Sequence, residues 1–383
     1  MGIKETLGIG RTGAKKVRYA VVGAGWISQA VFMPGVEASG NSELTALVTG
    51  DAEKARELKD KYGLQRTYDY DQFEALLASG IADAIYIATP NWEHENYAVR
   101  ALEAGVHVLL EKPSEVSVDR AERILAAAES ARARGVQLMV AYRLHFEAAS
   151  LDTLRRVRAG EIGEPVFFSS QFSQHVSPRN HRANHGFDGG PVPDMGPYPI
   201  NAVRNLFGEE PIEVSAIGSR HPEAELGDLD DTVAVMLRFP SGKLAQFTVS
   251  YAANAFGAYQ IVGTKGVLEL SPAYTFQAAL EQRRTFGDEH PEHEKWKAVD
   301  QFAGETRYFS ACVLEGRAPE PDAEEALLDV RVIEAIKYAL ASGQPWALEP
   351  RTRTKRIEPD EQLQKLAARR QPSLVNAAAP GNS

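Results

Sequence analysis

A doubly wound parallel α/β sheet followed by an α+β region with a largely antiparallel open sheet is the fold class this sequence predicts. Three observations carry it. Over residues 17–142, short apolar runs alternate with amphipathic stretches, the pattern of repeated strand–helix–strand units. The apolar runs are nearly continuous, as in strands buried on both faces of a parallel sheet. Beyond about residue 143 the strands instead alternate apolar and polar positions, as strands with one covered face do.

In the first region the expected strands are Tyr19–Val22, Leu44–Val48, Ala84–Ala88, Val106–Leu110 and Leu138–Ala141. Asp51 opens a helix that stops at Gly63, and Ser117 opens another that stops at Gly135. The second region begins with a helix from about Phe146 to Arg158 and an extended run from Pro165 to Phe172. Residues 174–193, rich in His, Asn, Arg, Gly and Pro, read as a long loop, and long loops in compact domains are usually functional. The strands Thr232–Phe239 and Lys243–Tyr251 join through Pro240-Ser241-Gly242, and residues 259–270 add a second pair around Gly263–Gly266. Helices near 302–315 and 324–341 follow, and the chain beyond Arg370 reads as a flexible tail.

A length of 383 residues suits two domains, and 44% hydrophobic with 25% charged residues is ordinary globular composition. The net charge of −10 disfavours nucleic acid and anionic lipid as partners. Cys312 is the single cysteine, so no intramolecular disulfide forms, which fits a reducing compartment. Met1–Lys16 lacks the apolar core of a secretory signal, and no run approaches the ~20 apolar residues needed to span a bilayer, so the expected location is the cytoplasm.

The first expected strand runs directly into Gly23-Ala24-Gly25-Trp26-Ile27-Ser28. A tight turn at Gly23, close backbone approach at Gly25 and a helix N-terminus at Trp26 and Ile27 are what a dinucleotide pyrophosphate requires. Ser28 stands where a third glycine is common, and a small residue still permits close packing. The second strand ends Val48-Thr49-Gly50-Asp51, so Thr49 takes the position where an acidic residue would select an unphosphorylated ribose, with Lys54 one turn into the helix. A hydroxyl and a cation suit a 2′-phosphate, which favours NADP, with NAD still open because Asp51 lies two residues further on. Asp51 also reads as the helix N-cap.

With Thr89-Pro90-Asn91 and His94, Glu111-Lys112-Pro113, Tyr142–His145, Asp194–Tyr198 and the stretch Ile200–Pro211 in this order and spacing, residues 17–345 resemble the glucose–fructose oxidoreductase / inositol dehydrogenase (Gfo/Idh/MocA) family, its glucose–fructose oxidoreductase branch in particular. The resemblance implies an N-terminal Rossmann domain and hydride transfer between a nicotinamide and an aldose, polyol or keto-sugar. It also implies a cis peptide before Pro113, contacts of Glu111 with the nicotinamide ribose, and proton transfer at the position of Tyr198. Thr89, Pro90 and Asn91 are expected to line the ribose and nicotinamide. His94 reads equally as a cofactor contact or a helix cap. Tyr142 and Arg143 are candidates to hold the carboxamide or the substrate, Arg143 alternatively joining the two domains.

The residues argue a chemistry of their own. Lys112 follows a buried strand at the sheet edge where ligands bind in open α/β folds. Asp194 and Tyr198, four apart, share a helix face. Oxidising a carbinol requires loss of its hydroxyl proton, and a tyrosine is a poor base but a usable acid, helped by a neighbouring cation. Together with the proton transfer that the resemblance implies at this position, Tyr198 is the expected acid/base, with Lys112 and Asp194 orienting the substrate and tuning it. His175, His181 and His185 are not expected to hold a metal, because Arg179 and Arg182 lie among them. Arg182 is instead a candidate contact for sugar hydroxyls. The sequence departs from the family at Pro191 after Gly189-Gly190, where a third glycine is usual, and at Ser114, where Met is common. Both lie on the substrate side, so the substrate is not inherited, and the export signal and N-terminal arm of true glucose–fructose oxidoreductases are not evident.

The expected organisation is an N-terminal extension over 1–16, a dinucleotide-binding Rossmann domain over 17–142, a substrate-binding and oligomerisation domain over 143–370, and a tail over 371–383. The expected partner is a small sugar or polyol, with a second copy, as homodimer or homotetramer, on the open sheet near Thr232–Tyr251. Two alternatives stand beside this reading. One is a same-fold oxidoreductase for a dihydrodiol or small ketone; the other is a dinucleotide-sensing regulator without catalysis.

Overall fold

The computed structural model describes residues 15–381 apart from Gln277. The expected N-terminal extension thus falls almost wholly outside the described residues, as do the last two positions of the expected tail. Val17–Val22 (β1), Ser42–Val48 (β2), Arg66–Tyr68 (β3), Ala84–Ile87 (β4), His107–Glu111 (β5) and Leu138–Ala141 (β6) form a parallel sheet in the order β3-β2-β1-β4-β5-β6. This is the doubly wound order, and it places a crevice beyond the C-terminal ends of β1 and β4, where the strand order reverses. The apolar runs are continuous because both faces are covered: β4 is buried at every position.

Helix Ala52–Tyr62 starts where Asp51 accepts hydrogen bonds from the Glu53 and Lys54 amides and stops at Gly63, which takes φ +62°. Helix Val118–Arg132 starts likewise at Ser117. β3 escapes sequence reading because Arg66-Thr67-Tyr68 carries no apolar run.

The second sheet comprises Pro165–Ser173 (β7), Glu213–Ser219 (β8), Thr232–Arg238 (β9), Leu244–Ser250 (β10), Phe256–Gly263 (β11), Gly266–Leu270 (β12), Glu281–Phe286 (β13), Glu292–Lys295 (β14) and Trp346–Ala347 (β15). Their order is β14-β13-β12-β11-β7-β10-β9-β8-β15, antiparallel apart from β7 with β10. Along β9, Val233, Val235 and Leu237 are buried in the core shared with helices Ala148–Arg158, Pro197–Phe207 and Ala323–Ser342, whereas Met236 faces out. The outward face also carries Ile217, 77% exposed.

The long segment after β7, expected as loop, contains short helical turns at His181–Asn184, Gly186–Gly189 and Pro191–Met195. Helix Gln301–Glu315 returns to the first sheet: Tyr308, Phe309 and Cys312 join the core of β1, and Tyr19 Oη lies 2.8 Å from Ser310 Oγ. Residues 371–381, expected as a free tail, lie hydrogen-bonded against both halves of the molecule. Among the described residues no helix is long and apolar enough to cross a membrane.

Candidate active site

Gly23 takes φ +98°, and a Cβ there would meet Ala88 O at 2.6 Å, so only glycine turns the chain from β1 past the end of β4. A Cβ on Gly25 would meet nothing within 4 Å, leaving the backbone open to the cleft. Ser28, fully buried, donates its hydroxyl to Gly23 O at 2.6 Å, which braces the turn.

The cleft beyond this turn has a volume of about 900 Å³ and is lined here by Gly23, Gly25, Trp26, Ile27, Thr49 and Lys54. That volume suits a nucleotide-sized ligand. Thr89, Pro90 and Asn91 continue the lining beyond β4, and Thr89 Oγ1 is buried with no hydrogen-bond partner among the described residues. An orphaned hydroxyl beside a glycine turn and an open backbone fits a dinucleotide. Asp51 is engaged as the helix cap, its Oδ1 3.0 Å from the amides of both Glu53 and Lys54.

Two expected cofactor residues sit elsewhere. Gly50 faces the Tyr70 ring, 3.6 Å from where a Cβ would stand, and lies beside the lining rather than on it. His94 is fully buried, with Nδ1 2.9 Å from Pro113 O and Nε2 3.1 Å from Thr89 O. Burial pushes its pKa down to about 4. A neutral ring has one N–H and so donates to only one of these two carbonyls; it packs between the segments after β4 and β5 and does not line the cleft. Tyr142 also turns away, donating to Asp329 Oδ2 at 2.6 Å.

At the other end of the cleft, Lys112 follows β5 across a cis peptide to Pro113. Its Nζ donates to Asp194 O at 2.6 Å and lies 3.4 Å from Asp194 Oδ1. Arg182 Nε stands 3.3 Å from Asp194 Oδ2, Tyr251 Oη donates to that oxygen at 2.9 Å, and Gln174 Nε2 at 3.3 Å. Burial raises the Asp194 pKa, but Arg182 and Lys112 outweigh it and hold the group at about 2. Burial likewise lowers Lys112, and the facing Tyr198, Asp194 and Glu111 overcome this and keep it above its usual value.

Tyr198 lies in the first turn of helix Pro197–Phe207, its ring centroid 4.9 Å from Lys112 Nζ. Arg143 Nε donates to Tyr198 Oη at 3.0 Å, while Nη1 holds Gln301 Oε1 and Nη2 holds Tyr274 O. Arg143 therefore both lines the cleft and ties β6 to the second half of the chain, through neutral acceptors rather than an ion pair. Glu111 accepts from Tyr86 Oη at 2.6 Å and from the Lys112 amide at 3.2 Å, and burial raises its pKa.

The structure thus brings Lys112, Asp194, Tyr198, Arg143 and Arg182 into one cleft with the glycine turn, from segments 112–198 residues into the chain. Sequence reasoning missed Tyr251 and Gln174 on Asp194, and Trp92, whose indole stacks on His185 at 4.0 Å. Tyr251 closes an amphipathic strand and carries no local signal of its role. It also missed Asn376, Ala377, Ala378 and Pro380, which line the same cleft. Their Ala/Asn/Pro composition gave no sign of it.

Residues 17–142 match the family model of an oxidoreductase family with an NAD-binding Rossmann fold, and residues 152–269 match a GFO/IDH/MocA C-terminal domain. The chain is 32% identical over 337 residues to a D-xylose 1-dehydrogenase [NADP(+)] of Haloarcula marismortui, covering 84% of this chain and 91% of that protein. It superposes on an aldose-aldose oxidoreductase from Caulobacter crescentus, complexed with glycerol, with a TM-score of 0.81, 32% identity, and coverage of 87% of this chain and 100% of that one. A 3-ketoreductase from Actinomadura kijaniata in complex with NADP gives a TM-score of 0.74 at 27% identity, over 85% of this chain and 98% of that one.

Proposed function

The chain belongs to the GFO/IDH/MocA oxidoreductases, and within that family we propose that it transfers a hydride between NADP(H) and a carbinol or carbonyl carbon of an aldose, polyol or keto-sugar. The observation that carries the reading is the meeting of Lys112, Asp194 and Tyr198 in the cleft that begins at the Gly23–Gly25 turn. When bound, the nicotinamide accepts or supplies the hydride at its C4 carbon.

The chain's own residues handle the proton and the geometry. Tyr198 takes the hydroxyl proton in its phenolate form as a carbinol is oxidised, becoming the phenol, and as the phenol returns that proton in reduction. Arg143 occupies one lone pair of the Tyr198 oxygen, which fixes the direction of the other and of the O–H bond. Lys112 and Arg143, 4.9 and 4.7 Å from the Tyr198 ring, offset the negative charge that develops on that oxygen. Asp194 is a positioning residue: it holds Lys112 and Arg182 apart at fixed places, each with donors left for substrate hydroxyls. Thr49 and Lys54 favour NADP by receiving its 2′-phosphate.

The xylose dehydrogenase and aldose oxidoreductase relatives support a sugar substrate. The substrate end also presents Phe172 and Phe256, apolar surfaces against which the C–H face of a pyranose packs. A panel of aldoses, polyols, keto-sugars and dihydrodiols, each with NADP and NAD and read as nicotinamide absorbance, tests this. Turnover of at least one aldose or keto-sugar with NADP is expected. Turnover of a dihydrodiol alone, or tight nucleotide binding with no turnover of any substrate, overturns it.

A further inference from the structure

Residues 371–381 do more than end the described chain. Lys61 Nζ donates to Ser373 O at 2.7 Å, anchoring the segment to the helix after β2. Val375 then pairs with the side chain of Gln29 in both directions: its amide donates to Oε1 at 2.8 Å, and its carbonyl accepts from Nε2 at 2.9 Å. Gln29 is fully buried in the first turn of the helix behind the glycine turn, and the same Nε2 donates to Ala24 O at 2.8 Å. One side-chain amide thus holds both the nucleotide turn and the segment laid over it.

Asn376, at φ +44°, donates to Glu53 Oε2 at 2.8 Å and reaches Asp51 Oδ2 at 3.5 Å, beside Thr49 and Lys54. Four residues later Pro380, buried, accepts from the Ser177 amide at 3.0 Å, in the long segment after β7. A Cβ on Gly381 would meet His175 O at 2.9 Å. Five residues span at most ~17 Å, so the segment crosses directly from one half of the molecule to the other. Asn376, Ala377, Ala378 and Pro380 line the cleft that Gly25, Thr49 and Lys54 line.

We propose that residues 375–380 form a strap that closes over a bound dinucleotide and slows its release, with Asn376 belonging to the subsite for the adenosine 2′ position. The inference rests on a dinucleotide occupying this cleft and not on the identity of the sugar. The alanines leave room for a ligand beneath the strap, and the Asn376 amide blunts the two carboxylates that would otherwise repel a 2′-phosphate. Because the strap and the turn share Gln29, docking of one favours occupancy of the other, and by linkage the coupling is reciprocal.

Two measurements test it. In the first, NADPH release is followed by stopped-flow fluorescence for the intact chain, for a chain ending at Gln371 and for Asn376→Asp. In the second, hydrogen exchange of residues 373–380 in the intact chain is compared with and without saturating NADPH, which does not depend on the truncated chain folding. The strap predicts at least tenfold faster release from the truncated chain and slower exchange across 373–380 when NADPH is bound. It also predicts a larger loss of affinity for NADPH than for NADH in Asn376→Asp. Unchanged release from a folded truncated chain, exchange indifferent to NADPH, or tighter NADPH binding once the segment is gone overturns the strap alone. Failure of the intact chain to bind either nucleotide overturns the cleft assignment and the strap together.

Discussion

Replacing Asp194 with asparagine keeps the shape of the site and removes the charge that Lys112 and Arg182 share. The two cations stand 3.4 and 3.3 Å from its oxygens, which at an effective dielectric of about 20 is roughly 5 kcal/mol of attraction each. Desolvation offsets much of that, because the Asp194 and Lys112 side chains are only 15% and 13% exposed. Removing one partner of a buried pair costs about 3–5 kcal/mol. The partial exposure of Arg182, at 27%, places Asp194→Asn near about 3 kcal/mol.

The variant also takes away one of the charges that hold Lys112 protonated against burial, so the lysine titrates at lower pH. Urea denaturation measures the first effect, and the pH dependence of kcat/KM the second. We expect a lower denaturation midpoint, kcat/KM down by about 100-fold through misplaced groups, and an alkaline limb moved to lower pH. A variant with the parent's midpoint and an unmoved alkaline limb would show that Asp194 does not hold the two cations in place.

Three further outcomes follow from the same geometry. Lys54→Ala should weaken NADP binding by about tenfold or more while leaving NAD within about twofold, because only the 2′-phosphate loses a charged partner; fluorescence titration of both nucleotides checks it. His94 and His145 are buried, and burial pushes each down to about 4. Between pH 6.5 and 4 the unfolded chain binds more protons than the folded one. Their contribution is therefore full above pH 6.5 and falls on acidification, by about 2 kcal/mol each at pH 5. His94→Asn should shrink the stability loss between pH 7 and pH 5 by about that amount in paired urea titrations; an equal loss in both proteins rejects the assignment. The outward face of the second sheet carries Ile217, Met236 and Leu244 exposed, and we propose that a second copy covers it. Met236→Glu should shift the mass measured by light scattering toward the monomer, and a parent protein that is already monomeric contradicts this.

Elements that announce themselves locally were legible in the sequence. Asp51 and Gly63 bound their helix because capping and a left-handed stop are properties of single residues. The buried strands of the first sheet showed because burial on both faces leaves a continuous apolar run. β3, β8 and β13–β15 were not foreseen, since their short, charged or, in β8, weakly apolar runs are held by neighbouring strands rather than by their own pattern. At the site, Lys112, Asp194 and Tyr198 were foreseen from strand-end and helix-face positions taken together with the family resemblance, and their meeting is a property of the fold. His94 was misplaced because spacing along a helix does not reveal which side the backbone carbonyls of Thr89 and Pro113 occupy. Tyr251 reaches Asp194, and Asn376, Ala377, Ala378 and Pro380 reach the cleft, through contacts distant in sequence, which no local pattern records.

In the proposed reaction Tyr198 moves the proton while Lys112 holds the reacting oxygen. Single-turnover hydride transfer, followed as nicotinamide absorbance with a saturating aldose, tests this in Tyr198→Phe and Lys112→Ala with nucleotide affinity measured alongside. The prediction is a transfer step slowed by about 100-fold or more in each, with NADPH affinity within about threefold of the parent. Transfer at the parent rate in either variant would contradict it.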